Sequence, residues 1–349
     1  MNEKQLYLFL MDDTEDVPSV QDEIDKDERS CNVSISDLQY DFDIVDIPFI
    51  GCDFDTIYPS IYSIIPQETV AFSDLGIDYA IMCEIVCSSI CHQINWDFLR
   101  SSVLEYTIKH PEWLVPCNLA SIGADEVMNM IGHYYKPDCV NAEERASILR
   151  AIGSWATYHK NIQTVFLDSD NNLRSSREIQ VSLLKCSAFS SDPERKKMNL
   201  LLQKLDNIYL LKGIERYAKP AIDYHLLRLY LRRGLLIART KHANEFINNP
   251  SINRKEATIA IVRGHCSKIL SQISQFSGLS IASVNLVEWH VARSVCSREC
   301  PDCQLKGPNS QWLRPMFNEC PFRSTCLASK YSNQMLLNVK EPSYKGTSY

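Results

Sequence analysis

A mainly α-helical protein is the fold class this sequence predicts, and three observations predict it. Glycine is scarce, 11 in 349 residues, and alternating apolar–polar runs are few, so hairpins and sheets have little to form from. Apolar residues instead recur at helical spacing over long stretches. Cap residues stand just ahead of several of those stretches, where helix starts need acceptors for free backbone N–H groups.

The elements follow in chain order. Residues 77–108 predict one long buried helix or a close helix pair, because apolar residues dominate IDYAIMCEIVCSSICHQI and polar ones return at helical intervals. Within it Cys83, Cys87 and Cys91 fall four residues apart and are expected to pack as small hydrophobes in the core. Ser121, followed by Ala124, Asp125 and Glu126, predicts a helix with acids in its first turn. The next is expected to start at Asn141, with Asn141 as N-cap and Glu144 completing a capping box. Residues 163–174 read as a short hairpin or a loop. Asp192-Pro193-Glu194-Arg195 predicts a helix running to about Asn207, with Pro193 in its first turn. Lys212-Gly213 is a tight connection; Asp223–Arg233 is the next helix, closed by Gly234. Helices over 254–276 and 281–295 follow, parted by Ser-Gly-Leu-Ser, and the tail is irregular.

Four regions are expected: an acidic, poorly ordered segment over 1–38, an N-terminal helical lobe over 39–190, a catalytic helical lobe over 191–295, and a Cys-rich loop and tail over 296–349. An apolar content of 45% and a charged content of 23% are those of a soluble globular protein. No apolar run reaches the ~20 residues of a membrane span. The opening MNEKQLYLFLMDDTED turns acidic too soon for a signal peptide. Fourteen cysteines without such a signal point to a reducing, cytoplasmic setting. A monomer without a membrane partner is expected.

Charge is unevenly spread. Residues 1–50 carry 14 Asp/Glu against 3 Lys/Arg, whereas 194–265 carry 15 Lys/Arg against 6 Asp/Glu. The basic middle is the electrostatic footprint of a phosphate-bearing partner or a solvated helical surface.

Two features carry chemistry. Asp223 opens an apolar, arginine-bearing helix, Asp-Tyr-His-Leu-Leu-Arg. A carboxylate so placed is held ionised by the helix dipole and can oppose positive charge that develops on a sugar when a nucleobase leaves, or activate water; it can also be only an N-cap. The second is the set Cys296, Cys300, Cys303, Cys320 and Cys326. Four thiolates brought together from such a set make an iron–sulfur or a zinc site, and Cys300-Pro-Asp-Cys303 satisfies a C-x-x-C step alone.

The stretch Ile222-Asp223-Tyr224-His225-Leu226-Leu227-Arg228 resembles the helix that carries the catalytic aspartate in helix-hairpin-helix (HhH-GPD) DNA glycosylases. The C-x6-C step from Cys296 to Cys303 and the C-x5-C step from Cys320 to Cys326 resemble the outer steps of the cluster loop of endonuclease III. The middle gap is longer, Cys300 is extra, and the family's L-P-G-V-G hairpin is replaced by Leu210-Leu211-Lys212-Gly213-Ile214. The resemblance implies a two-lobed helical fold, a 4Fe-4S cluster on Cys296, Cys303, Cys320 and Cys326 (alternatively zinc), DNA as partner, and Asp223 as catalytic carboxylate. It also implies a lysine nucleophile in bifunctional members, for which Lys204 is the first candidate. Asp192-Pro193-Glu194-Arg195-Lys196-Lys197 is similar to a segment of the archaeal 8-oxoguanine glycosylase, which keeps Lys196, Lys197 and Lys212 as candidates too.

A second resemblance covers residues ~80–295. Ile94–Phe98, Glu143-Glu144-Arg145, Ala221–Tyr224, Arg263-Gly264 and Asn285 through Trp289 to Arg293 resemble the queuosine salvage glycohydrolases, which lack the cysteine cluster. These likenesses imply a glycosidase that releases a modified or damaged base from DNA, or alternatively from a nucleotide. A non-catalytic nucleic-acid-binding protein with a structural metal site is the third reading. Trp96, Trp113, Trp289, Tyr217 and Tyr224 are candidates to stack on a flipped base, Trp96 first among them. Asn95, Trp96, Tyr224, His225 and Arg228 are the expected substrate-binding residues.

Overall fold

The computed structural model describes residues 42–44, 53–65, 76–192, 194–207, 210–240, 243, 256–304, 310–330 and 334–339. The acidic segment 1–38 and Pro193 lie outside them. The described chain is mainly helical. Strands β1 (Phe42–Ile44) and β2 (Leu236–Ala238) form an antiparallel pair with Asp43 opposite Ile237. The principal helices are α1 (Phe54–Ile64), α2 (Ile77–Ile90), α3 (Trp96–Lys109), α4 (Ala124–Ile131), α5 (Ala142–Ala156), α6 (Ser176–Leu183), α7 (Lys196–Asn207), α8 (Tyr224–Arg233), α9 (Glu256–Ser277) and α10 (Ile281–His290). No helix among the described residues is long and apolar enough to cross a membrane.

Two hydrophobic cores organise these elements. The first gathers buried residues between Ala80 and Ala218, including α2, α5 and α7. The second joins α1 and the strands to α8, α9, α10 and Phe322. Trp289 packs against both. Helix α2 is the spine of the first: every residue from Ala80 to Ile90 is buried, as an all-round apolar helix must be. Its one buried acid, Glu84, receives two guanidinium N–H bonds from Arg100 of α3 at 3.1 and 3.0 Å, which offsets the cost of burying the charge. In the second core Arg233 of α8 donates to Glu288 of α10 at 2.8 Å and to the Tyr58 hydroxyl at 2.9 Å. All three groups are buried, and burial pushes the Glu288 carboxyl up from its ordinary value.

The 77–108 stretch is a helix pair, α2 and α3, joined by residues 91–95. Arg145, fully buried in α5, holds that joint: it donates to the carbonyls of Ile90 (3.2 Å), Cys139 (3.0 Å), His92 and Val140. The final carbonyls of a helix need donors, and a long cation supplies them from a neighbouring element. Close packing also depends on Gly153 of α5, where a Cβ would lie 2.2 Å from the Ala120 backbone nitrogen.

Several local expectations need correction. Asn141 stands at the N-cap of α5, but its backbone is left-handed and its side chain caps nothing; Glu144 turns to His92 at 3.5 Å instead. Helix α4 begins at Ala124, where Glu126 accepts from the Gly123 N–H at 3.0 Å, not at Ser121. Helix α7 begins at Lys196, later than Asp192; the Asp192 carboxylate caps it by accepting from the Lys197 N–H at 2.9 Å. The 163–174 stretch starts inside a short 3-10 helix, Ile162–Val165, and then forms the expected loop, with one bridge from Leu167 to Leu173, closed over the Asp168 carboxylate by the N–H groups of Asp170 and Asn172. Helix α8 matches its expectation, with Asp223 at the N-cap and Gly234 left-handed at the C-cap (φ 74°).

Candidate active site

Where the two cores meet, a cavity of about 570 Å³ opens. Its walls come from the α2–α3 joint with the start of α3, from residues 134–136, from α7, from the start of α8, and from α10 with the turn beyond it. The seven residues expected at the site all line it: Asn95, Trp96, Lys204, Asp223, Tyr224, His225 and Arg228.

Asp223 is buried, 8% exposed, and splits its carboxylate between two tasks. Oδ1 accepts the Leu226 N–H at 3.1 Å and caps α8. Oδ2 takes no hydrogen bond from the described residues, and the side chain faces the cavity. The approach to Asp223, residues 218–222, is irregular chain, and three amide side chains supply hydrogen bonds to it. Asn199 of α7 accepts the Lys219 N–H at 3.0 Å, and Gln203 of α7 donates to the Lys219 carbonyl at 2.9 Å. Asn285 of α10 accepts the Ala221 N–H at 2.6 Å and donates to the Ala221 carbonyl at 3.5 Å. Buried backbone groups must be paired somewhere, and these amides stand in for a neighbouring strand.

Two indoles flank the buried ammonium of Lys204, at 4.7 Å from the Trp96 ring and 5.9 Å from Trp289. Arg293 lies over the other indole, 4.8 Å from Trp289, and pairs with Asp97. Asn95 caps α3 by accepting the Phe98 N–H at 3.1 Å, and its own N–H donates to the Tyr134 hydroxyl at the same distance. Arg228 donates to the Ala292 carbonyl at 2.7 Å and stands 3.2 Å from His225 Nδ1. Besides Lys204 and Arg228, cations at Lys136, Lys196, Arg293 and Arg298 line the cavity; Asp223 is the one carboxylate in that lining.

The other candidates separate cleanly. Lys196 lines the cavity, Lys197 is buried outside it, and Lys212 is exposed. Trp113 sits in the first core with its indole N–H on Thr107, and Tyr217 packs under Arg216; neither reaches the cavity. Cys83 and Cys87 are core residues as expected, but Cys91 lies at the cavity wall. Gln203, Tyr134, Tyr135 and Lys136 were not foreseen. Their only trace in the sequence is polar residues on a helix face and an exposed turn, patterns shared by any solvated surface. The basic middle is divided: Lys196, Lys197, Lys204, Arg228, Arg232, Arg233 and Arg263 are buried, whereas Arg195, Lys212, Arg216, Lys219 and Arg239 are exposed.

The cysteine loop packs against the far end of α8. Arg232 donates to the carbonyls of Ser297 (2.6 Å), Arg298 (2.7 Å) and Val339 (3.1 Å), and approaches Cys296 Sγ at 3.6 Å. Cys326 donates to the Arg232 carbonyl at 3.4 Å. Cys296, Cys303, Cys320 and Cys326 lie in one another's fields. Burial, then Cys296 and Cys303, push the Cys326 thiol up to about 12; burial with Cys296, Cys326 and Cys303 raises Cys320, and burial with Cys296 raises Cys303. None of these cysteines is in a disulfide, and Cys300 is exposed. The donor chemistry suits a thiolate-bound metal. The spacing is looser: among the described residues no group of three or more His, Cys, Asp or Glu stands close enough to hold a metal ion.

A scan against models of protein families finds no match to this chain, and a search of curated proteins finds no relative.

Proposed function

We propose that the chain is an N-glycosidase acting on a phosphate-bearing nucleoside, with Asp223 as its catalytic carboxylate. The observation that carries this reading is the lining of the cavity: one ionisable acid at a helix N-terminus, two indoles, and six cationic side chains. A base stacks against Trp96 or Trp289, and the cations hold the phosphate. As the C1′–N bond breaks, its electron pair leaves with the base and positive charge grows on the sugar, which the Asp223 carboxylate opposes. Water then bonds to C1′, its proton passing to Asp223 and on to solvent or the departing base. Lys204 serves by holding charge between the indoles; as a nucleophile it would form a Schiff base instead.

The burial of Lys196, Lys204 and Arg228 at the cavity favours a nucleotide, whose phosphate can enter it. A base in DNA is the second reading. It is supported by Tyr135, 72% exposed with the Lys136 ammonium 5.3 Å from its ring, where a flanking strand would pass. An HhH-GPD-like two-lobed helical fold belongs to either proposal. The four cysteines Cys296, Cys303, Cys320 and Cys326 would hold a 4Fe-4S cluster, or alternatively zinc, whose contribution is to fix the C-terminal loop against α8.

Mass spectrometry of bases released from modified nucleotides, nucleosides and DNA decides between these readings. Release from 5′-nucleotides and not from nucleosides is the expected result. Release from DNA alone moves the assignment to the second reading. No release from any substrate leaves a binding protein and overturns the proposal.

A further inference from the structure

We infer that Gln203 reads the base, as a hydrogen-bond acceptor, and that the cavity selects nucleobases carrying a ring N–H on the edge they present to it. The inference rests on the glycosidase reading only for calling the ligand a nucleobase.

The orientation of an amide side chain is fixed by its partners, and here the partners form a chain of necessity that starts at the backbone. The Ala221 N–H can only donate, and it points at Asn285, so the atom it meets at 2.6 Å is the amide oxygen Oδ1. The Asn285 nitrogen is then turned to the Ala221 carbonyl, 3.5 Å away. Gln203 faces that same Oδ1 at 3.4 Å and the Lys219 carbonyl at 2.9 Å. Both are acceptors, so the Gln203 atom between them must be the nitrogen. The two N–H groups of its amide are thereby used, and its oxygen Oε1 is turned away from them. Gln203 is 4% exposed and lines the cavity, and Oε1 takes no hydrogen bond from the described residues.

A fixed acceptor of this kind cannot rotate to donate without setting its oxygen against two other oxygens and taking the donor from the Lys219 carbonyl, which is costly. The cavity therefore offers one immobile acceptor beside the indoles of Trp96 and Trp289. A ring N–H satisfies it. A ring nitrogen with a lone pair, or one that is methylated, leaves it unpaired or collides with it. Sites built around one buried hydrogen bond discriminate in this way.

The test is equilibrium binding of free bases to the full chain, followed by tryptophan fluorescence, with two matched pairs: hypoxanthine against 1-methylhypoxanthine, and uracil against 3-methyluracil. In the wild type at least one N–H base is expected to bind on the order of tenfold tighter than its methylated partner. In Gln203→Met the difference should shrink to within about twofold. Gln203→Met also loosens the Lys219 carbonyl, so its melting temperature is measured alongside; the wild-type comparison needs no variant and stands if Gln203→Met fails to fold. Equal binding of both members of each pair, binding of none of the four bases, or an undiminished preference in a folded Gln203→Met protein overturns the inference. Base release from nucleotides separates this from the wider reading. A methyl-sensitive binding site in a protein that releases no base leaves Gln203 assigned and removes the glycosidase. Base release without methyl sensitivity does the reverse.

Discussion

Asp223 caps a helix with one oxygen and faces a cavity with the other, and the two tasks can be separated. Asp223→Asn keeps an acceptor for the Leu226 N–H and loses the charge. Its melting temperature is expected to stay near wild type while base release falls by roughly 10²–10⁴. Asp223→Ala loses both, and should be about 1 kcal/mol less stable as well as inactive. An Asp223→Asn protein that releases base at the wild-type rate sinks the catalytic assignment. His92 makes a different kind of prediction. It is 2% exposed, and burial lowers its pKa to about 4 despite the partly exposed Glu144 nearby. The unfolded chain, with a histidine near 6.5, therefore binds a proton between pH 6.5 and 4 that the folded chain refuses. Stability is full above that window and falls as pH drops through it, by about 2 kcal/mol between pH 7.5 and 5. Urea midpoints at the two pH values should show this, and His92→Gln should flatten the slope.

At the scale of elements, what the sequence made legible was the periodic and punctuated part. Helix α8 is bounded by Asp223 and Gly234, residues whose local chemistry suffices: an acceptor for free N–H groups, and a left-handed backbone that only glycine adopts cheaply. Cap signals failed where tertiary partners competed. Glu144 was drawn to His92 rather than to its own helix start, and Asp192 caps α7 from outside it. Close contacts between elements left no sequence signal at all. Gly153 looks like an ordinary mid-helix glycine, yet it is where α5 meets the backbone of Leu119 and Ala120. Gly153→Ala would raise helix propensity in isolation. In the folded protein its Cβ meets immovable backbone, so a loss of roughly 1–3 kcal/mol is expected. Gly234→Ala adds a left-handed strain to a collision with Leu327 at 2.1 Å, and should cost at least as much. Thermal melts of both variants measure the balance; a stabilised Gly153→Ala would mean that the Pro116–Leu119 helix is free to shift.

At the scale of the molecule, the expected site residues line one cavity, but charge counts alone carry no information about which way the side chains of the basic middle turn. The arginines of α8 turn inward, and Arg232 ties the far end of that helix to the cysteine loop. One helix thus carries Asp223 at its start and the loop at its end. On the proposed cluster reading, the four thiols of Cys296, Cys303, Cys320 and Cys326 are brought from one another's fields to bonding distance by the metal, and the loop becomes a fixed brace. Protein purified without oxygen should then be brown and contain about four irons per chain, whereas stoichiometric zinc in a colourless protein would keep the ligands and change the metal. Cys320→Ala is the sharpest variant, since Cys320 feels all three of the other thiols. It should lose metal and melt several degrees lower, with new protease cleavage in the loop. Cys300→Ala, at the exposed position, should do neither. A Cys320→Ala protein with undiminished metal content would show that the thiols gather for packing alone, and that Arg232 and its carbonyl partners hold the loop without help.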